Sequence, residues 1–449
     1  MIMVHRITRS LLSVLMLAVV AGCTQPVADP ASLIAKSKEY RQQGKFEAAV
    51  IELRNVLQQN PDHPEARFLV GTAYLESGDA ASATTELQKA LALGFDPKQV
   101  LPDLAKSLIL QEKFKEALEV TDPARVAGAQ GVPEILNIRS MAQLALRQLA
   151  AAKSSLDLAM VLRPDYADGL LSQARIALLE RDPPTATLLV DKALAFQPTN
   201  VDGWLLKGSL QRQADTPDLA RISYRKAIEI DPRGAAARHE LASLEIAAKR
   251  YDEAANELEV AREIAPKQVM GAYLKAVLEV HRGNDAAAQE AVYRALELAP
   301  EHVPSTLLAG IVEIARGHPA EAEKYLNSAL KLSPRNIYGR KMLAASQMQR
   351  RQIAQAVATL EPVIDTAAGA SDPALLSLAG EAYMQDKQFT KAIRYFEKAA
   401  ALDPQNASAR SGLGMSRMAL GETDRALAEL EAAAALGPGG ARADIMLVM

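Results

Sequence analysis

The chain has 449 residues, 49% of them hydrophobic and 23% charged, and a formal net charge of −3. Its basic and acidic residues are interleaved, so it offers no basic stripe of the kind nucleic-acid binding requires. Cys23 is the only cysteine, which excludes an internal disulfide and a cysteine-based zinc site.

In chain order, residues 1–22 read as a secretory signal, with His5, Arg6 and Arg9 ahead of an apolar run from Leu11 to Val20. Val20-Ala21-Gly22-Cys23 follows and resembles the bacterial lipobox. That resemblance implies cleavage before Cys23 and acylation of Cys23. Several acyl chains, at roughly 0.8 kcal/mol per buried methylene, would hold the protein on a membrane. Thr24 stands where the related sorting rule reads an aspartate as a retention signal, so the implied destination is the outer membrane, on its periplasmic face, in a Gram-negative bacterium. Residues 23–30, with Pro26 and Asp29, read as the lipid-anchored linker. No later apolar run approaches the length that spans a bilayer.

From residue 31 a periodic pattern takes over. Pro164, Pro198, Pro232, Pro266, Pro300 and Pro334 recur every 34 residues, with Ala152, Ala186, Ala220, Ala254, Ala288 and Ala322 in phase. The alanine beat extends outward to Ala49, Ala83 and Ala117, and to Ala356, Ala392 and Ala426. Proline returns at Pro61, Pro404 and Pro438. A small side chain at that beat allows two helices to cross closely, and proline, with no N–H to donate, ends the second helix. Tyr224, Ala227 and Ile228 supply the apolar i, i+3, i+4 stripe of one such helix. Trp204 and Gly208 (with Lys207 in place of leucine), and the pairs Gly71/Tyr74, Gly380/Tyr383 and Ser37/Tyr40, complete a resemblance to the tetratricopeptide repeat (TPR). The implied fold is all-α, a right-handed superhelical solenoid of about twelve helix-turn-helix repeats.

The expected divisions are repeats one to three over residues 31–132, four to ten over 133–370, and eleven and twelve over 371–449. In the first block Phe95 takes the slot of the terminal proline, and Gly94 is expected to end the helix by adopting positive φ. Irregular joints are expected at Pro123–Pro133 and at Asp365–Pro373, each either a bend or a longer loop. Ile445 to Met449 falls in phase with a thirteenth first helix that lacks its partner, which reads as truncation.

The lipobox, the text from Tyr40 to Asp79 and that from Leu87 to Val120 together resemble the TPR-repeat lipoproteins of PEP-CTERM/exosortase systems. The resemblance implies a periplasmic, lipid-anchored scaffold for proteins of an exopolysaccharide and protein-sorting system. Its partners would be other cell-envelope proteins, with membrane contact through the N-terminal lipid only, no nucleic acid and no cofactor. The alternatives are a non-catalytic arm of a larger polysaccharide synthesis or export machine, or a part in assembling outer-membrane proteins or pili.

Catalytic and metal motifs are missing from the sequence, so no enzyme is expected. His239-Glu240 begins like a zincin motif, but Ser243 occupies the second histidine position. His281, His302 and His318 have no cysteine or carboxylate at ligand spacing, and Gly437-Pro438-Gly439-Gly440 reads as a turn. What remains is surface. The first helix of each TPR lines the concave face, and Tyr273, Val277, Val280, Leu307, Ile311 and Ile314 form the candidate partner-binding groove. Met348, Met384, Met415 and Met418 are a second, adaptable apolar set. The lysine–asparagine clamp that chaperone-type modules use is not formed: the relevant slots hold Lys341 with Ala345, Asn137 with Met141, and His239 with Ser243.

Overall fold

The computed structural model describes residues 29–122 and 132–436. Cys23 and the signal segment, the Pro123 side of the first joint, and the stretch from Gly437 to Met449 lie outside the described residues. Among the described residues there are twenty-four α-helices, one 3-10 turn and no strand.

The helices fall in two compact units, 1–213 and 214–449. The first holds α1 (Pro30–Gln42), α2 (Phe46–Gln59), α3 (Pro64–Glu76), α4 (Ala80–Ala92), α5 (Pro97–Leu110), α6 (Phe114–Val120), α7 (Pro133–Ala145), α8 (Leu149–Leu162), α9 (Ala167–Leu179), α10 (Pro183–Phe196) and α11 (Val201–Gln213). The second holds α12 (Pro217–Ile230), α13 (Ala235–Ala247), α14 (Tyr251–Ile264), α15 (Val269–Arg282), α16 (Asp285–Leu298), α17 (Val303–Ala315) and α18 (Pro319–Leu332). It continues with α19 (Ile337–Gln349), α20 (Ile353–Ile364), α21 (Pro373–Gln385), α22 (Phe389–Leu402), α23 (Ala407–Ala419) and α24 (Thr423–Ala434). Within each unit successive helices pack in sequence, first helix on second and second on the next repeat's first. This is how a solenoid buries a core that no single repeat could make.

The alanine beat marks the closest crossings. All twelve of its members, Ala49 to Ala426, are at most 1% exposed. Twelve residues earlier every repeat has serine, glycine or alanine, and the glycines show why. A Cβ added to Gly310 would stand 3.4 Å from the Ala322 carbonyl and 2.6 Å from Leu326 Cγ; on Gly414 it would stand 3.1 Å from the Ala426 carbonyl. Two small residues, one per helix, let the backbones meet.

The turn between paired helices uses one left-handed residue per repeat. Glycine supplies it at Gly44, Gly78, Gly283, Gly317 and Gly421, whereas Glu112, Arg147, Arg181, Asp215, Lys249, Arg351 and Lys387 adopt it with φ between 56° and 62°. The next residue's N–H returns to a carbonyl five residues back, as Asp182 N does to Ala177 O at 2.9 Å. Gly94, at φ 83°, ends α4 as expected.

The repeat prolines act one step removed. α8 stops at Leu162, Arg163 is extended at φ −146° and Pro164 follows, because proline drives the residue before it out of helical conformation. The next helix then takes up the proline's carbonyl. Arg67, Arg238, Arg340 and Arg410 donate to the carbonyls of Pro61, Pro232, Pro334 and Pro404, and the Trp204 indole to that of Pro198.

At the second joint the 3-10 turn Gly369–Ser371 precedes α21. The longer loop leaves stacking intact, since one core runs from Ala344 through Leu360, Leu376 and Phe396 to Leu413. Asp365 staples it, accepting from Tyr395 Oη at 3.0 Å and Lys398 Nζ at 3.1 Å. At the first joint α6 is cut to 7 residues. Its end is held by Arg139, which donates to the Leu118 carbonyl at 2.9 Å and to Thr121 Oγ1 at 3.1 Å.

Candidate partner-binding face

The candidate groove lies on α15 and α17. Tyr273, Val277 and Val280 share a face of α15 by their i, i+4, i+7 spacing, and all three are half-buried. They pack on Ala276, Ala288, Val292 and Val312, and Tyr273 and Val277 also reach the Leu258–Leu278 core. The Tyr273 ring meets His302 edge-on, 5.6 Å between centroids. Burial raises the Tyr273 phenol above its usual value, and the nearby Tyr338 phenol adds to the rise.

Leu307 does not line an open groove. It is buried in a core with Leu326, Ala329 and Leu343, its tip 2.8 Å from where a Gly339 Cβ would stand. The apolar spacing places Leu307 correctly on the helix, but the next repeat covers it. Ile311 and Ile314 are half-buried, the latter against the same core. The open apolar groups near this face are Met270, 42% exposed, and Tyr338, 49% exposed. Each is second in its helix, a slot the 34-residue phase assigns to this face. Nothing in the sequence says how little their neighbours cover them. Of the methionines, Met348 and Met384 pack on the core, Met415 is half-buried and Met418 is exposed.

Beneath this face runs a feature that the sequence reading missed. Glu245, Glu279 and Glu313 are buried at the same repeat position in three successive repeats. Burial opposes their charge, so each is surrounded by donors. Arg221 at 2.8 Å and Arg250 hold Glu245. Lys275 at 2.6 Å and Asn284 at 2.8 Å hold Glu279. Gln289 at 2.7 Å, Tyr293 Oη at 2.8 Å and His318 Nδ1 at 2.9 Å hold Glu313. For Glu279 and Glu313 desolvation is the largest influence, yet the donors outweigh it and keep both carboxyls below their ordinary value. The signal was visible as Glu at a 34-residue interval, in the position where three other repeats have Tyr40, Tyr74 and Tyr383. The arrangement locks the first helix to its turn and, at Glu245 and Glu313, to the preceding repeat.

The remaining polar candidates are engaged structurally. Burial pushes the imidazoles of His239 and His302 down, and His302 Nδ1 lies 2.7 Å from Ser305 Oγ. Lys341 pairs with Asp372 at 2.8 Å. Among the described residues no group of three His, Cys, Asp or Glu side chains could hold a metal, and no helix is long and apolar enough to cross a membrane.

Paired helices on a beat of 34 residues, stretched to 35 between Ala117 and Ala152 and to 36 between Ala356 and Ala392, with buried small residues at each crossing, define an α-helical repeat protein. Two family models, both described as tetratricopeptide repeat, match it. One covers residues 40–101, 313–381 and 383–447, the other 205–269. Together they span more than half of the chain, which belongs to the tetratricopeptide-repeat family, whose repeats serve as scaffolds for protein–protein interaction. No curated protein matches the sequence. Among solved structures it is similar to a chain of the APC/C hetero-tetramer Cut9–Hcn1, at 15% identity and a TM-score of 0.49, over 94% of this chain and 96% of that one. It is also similar to a tetratricopeptide repeat protein from Parabacteroides merdae ATCC 43184, at 20% identity and a TM-score of 0.43, over 56% of this chain and 98% of that one.

Proposed function

We propose that the chain is a non-catalytic, lipid-anchored periplasmic scaffold that gathers cell-envelope proteins of an exopolysaccharide and PEP-CTERM sorting system. The protein-binding part is carried by one observation: Tyr338 and Met270 stand open beside half-buried Tyr273 on the first-helix face of a TPR array. The envelope part is supported by the lipobox ending at Cys23 and by the text of residues 40–120.

The test separates the two parts. Tyr273→Ala with Tyr338→Ala should weaken capture of envelope partners by roughly tenfold or more, since a few aromatic anchors carry most of an interface's energy. Helical content should be unchanged, and the exposed Lys324→Glu should matter little. Cys23→Ser should release the protein from the outer membrane. Undiminished capture by the double variant would refute the binding face; an unchanged membrane fraction with Cys23→Ser would refute the anchor.

A further inference from the structure

The second helices of the fourth and fifth repeats differ from the others of their unit. α8 buries Ala152, Leu156 and Ala159, and α10 buries Ala186, Val190 and Ala193. On their other sides α8 exposes Leu158, Val161 and Leu162, and α10 exposes Leu188 and Phe196. Val161 at 76% and Leu188 at 70% are the most open of these. By contrast α2 exposes only Ile51, and α4 and α6 expose no large apolar side chain. Charge is sparse on the two helices, which hold Lys153, Asp157, Asp191 and Lys192, two of each sign. Lys153 is bound to Glu180 and Asp191 to Lys207, each at 2.8 Å. Asp157 and Lys192 are exposed and make no ion pair or side-chain hydrogen bond among the described residues.

We propose that this face pairs with the same face of a second copy of the chain, α8 lying antiparallel on the partner's α10 about a twofold axis. A twofold contact makes every pair twice, so the face has to complement itself. It does so in one register. Seating Asp157 on the partner's Lys192 also seats Val161 on the partner's Leu188, because Val161 lies four residues after Asp157 and Leu188 four before Lys192. The two unpaired charges and the two most exposed apolar groups are then satisfied together. Slid by one turn, the helices set Lys153 against the partner's Lys192, or Asp157 against the partner's Phe196. The first juxtaposes like charges and the second leaves a carboxylate on an apolar ring, and both cost affinity. A lipid surface would select an excess of basic residues around the apolar groups, and here the signs balance. An unrelated protein would give Asp157 and Lys192 no reason to complement each other at this spacing.

The inference rests neither on the Tyr273 face nor on the Cys23 anchor, so failure here leaves both tests above untouched. Sedimentation equilibrium on the full chain carrying Cys23→Ser, which needs no detergent, should show monomer and dimer in exchange. A contact of two helices per copy lies at the small end of specific interfaces, so the dissociation constant should be on the order of 10–100 μM. Val161→Glu with Leu188→Glu, both at exposed positions, should weaken the dimer at least tenfold with helical content unchanged. Asp157→Lys alone sets like charges together twice across the axis, as does Lys192→Asp alone, so each variant should dimerise at least tenfold more weakly than the parent. Mixed in equal amounts, the two variants should dimerise about as well as the parent, because each carries the charge that the other lacks. That recovery requires a second copy in this register. A parent chain that stays monomeric at about 500 μM, a dimer that the charge variants leave intact, or a mixture that shows no recovery would each overturn the proposal.

Discussion

Gly412 offers a substitution whose sign is diagnostic. In the open interior of a helix, glycine to alanine stabilises by about 1 kcal/mol, because alanine restricts the unfolded chain and glycine does not. Gly412 lies inside α23, but a methyl there would stand 2.3 Å from Phe396 Cζ and 2.7 Å from Cε1 and Cε2. The ring cannot retreat. Phe396 is 0% exposed, and its other edge is met by Gly380 of α21, where an added methyl would stand 2.7 Å from Cδ1. Overpacking of this kind costs about 1–3 kcal/mol, and a contact below any real carbon–carbon distance belongs toward the upper end. Gly412→Ala should therefore destabilise by about 1–2 kcal/mol net. Phe396→Leu alone should cost a similar amount by leaving a cavity, about 1–2 kcal/mol. The double variant should be more stable than the sum of the two predicts, by about 1 kcal/mol or more, because the smaller side chain accepts the methyl. Denaturant unfolding gives the totals, and amide exchange gives the location. The loss should be concentrated in α21 to α24, as nearest-neighbour coupling requires. If Gly412→Ala stabilises by about 1 kcal/mol, or if the double variant is merely additive, the ring is not clamped as described.

Two further predictions follow from the turns and the buried acids. Arg181→Gly should raise stability by up to about 1 kcal/mol, since it removes a left-handed non-glycine residue at φ 62°. Gly78→Ala should lower it by about 1–2 kcal/mol although nothing lies within 4 Å of the new methyl; the two melting shifts should have opposite signs. Glu313 has a folded pKa below its unfolded one, so its contribution is present above the ordinary carboxylate value of about 4.3 and is lost as pH falls through the lowered folded value. Glu313→Gln should cost about 2 kcal/mol at neutral pH, with the difference from the parent closing below about pH 4. A difference that persists unchanged into acid would show that the carboxylate's charge is not what its donors hold.

The repeat was legible because its physics is local and recurs. A small residue at each crossing, a proline two residues past most second helices, and a phase close to 34 residues give the same answer at Ala49 and at Ala426. The left-handed turn residue was half visible: glycine announces it at Gly44 and Gly317, whereas Arg181 and Lys387 adopt it because the helices on either side leave no alternative. Exposure was the part the sequence could not give. Leu307 and Tyr338 both carry large side chains at face-lining slots of first helices, but the Leu307 tip is taken up by the following repeat and Tyr338 is left open.

The same distinction explains where function can sit on such a chain. Positions that make the repeat must be alike in all repeats, so a ligand site has to come from a departure. The Tyr273–Tyr338 face departs by leaving large groups uncovered. That departure falls within the same stretch that carries Glu245, Glu279 and Glu313. A buried carboxylate held by donors from its turn, and at Glu245 and Glu313 also from the preceding helix, fixes the backbone more firmly than apolar contact can, because hydrogen bonds to a charge are directional and costly to break. Replacing all three by leucine should therefore leave the helices in place while loosening the exchange protection of α13, α15 and α17. If such a variant keeps both its protection and its partners, the buried glutamates serve the stability of the stack and not the geometry of the face.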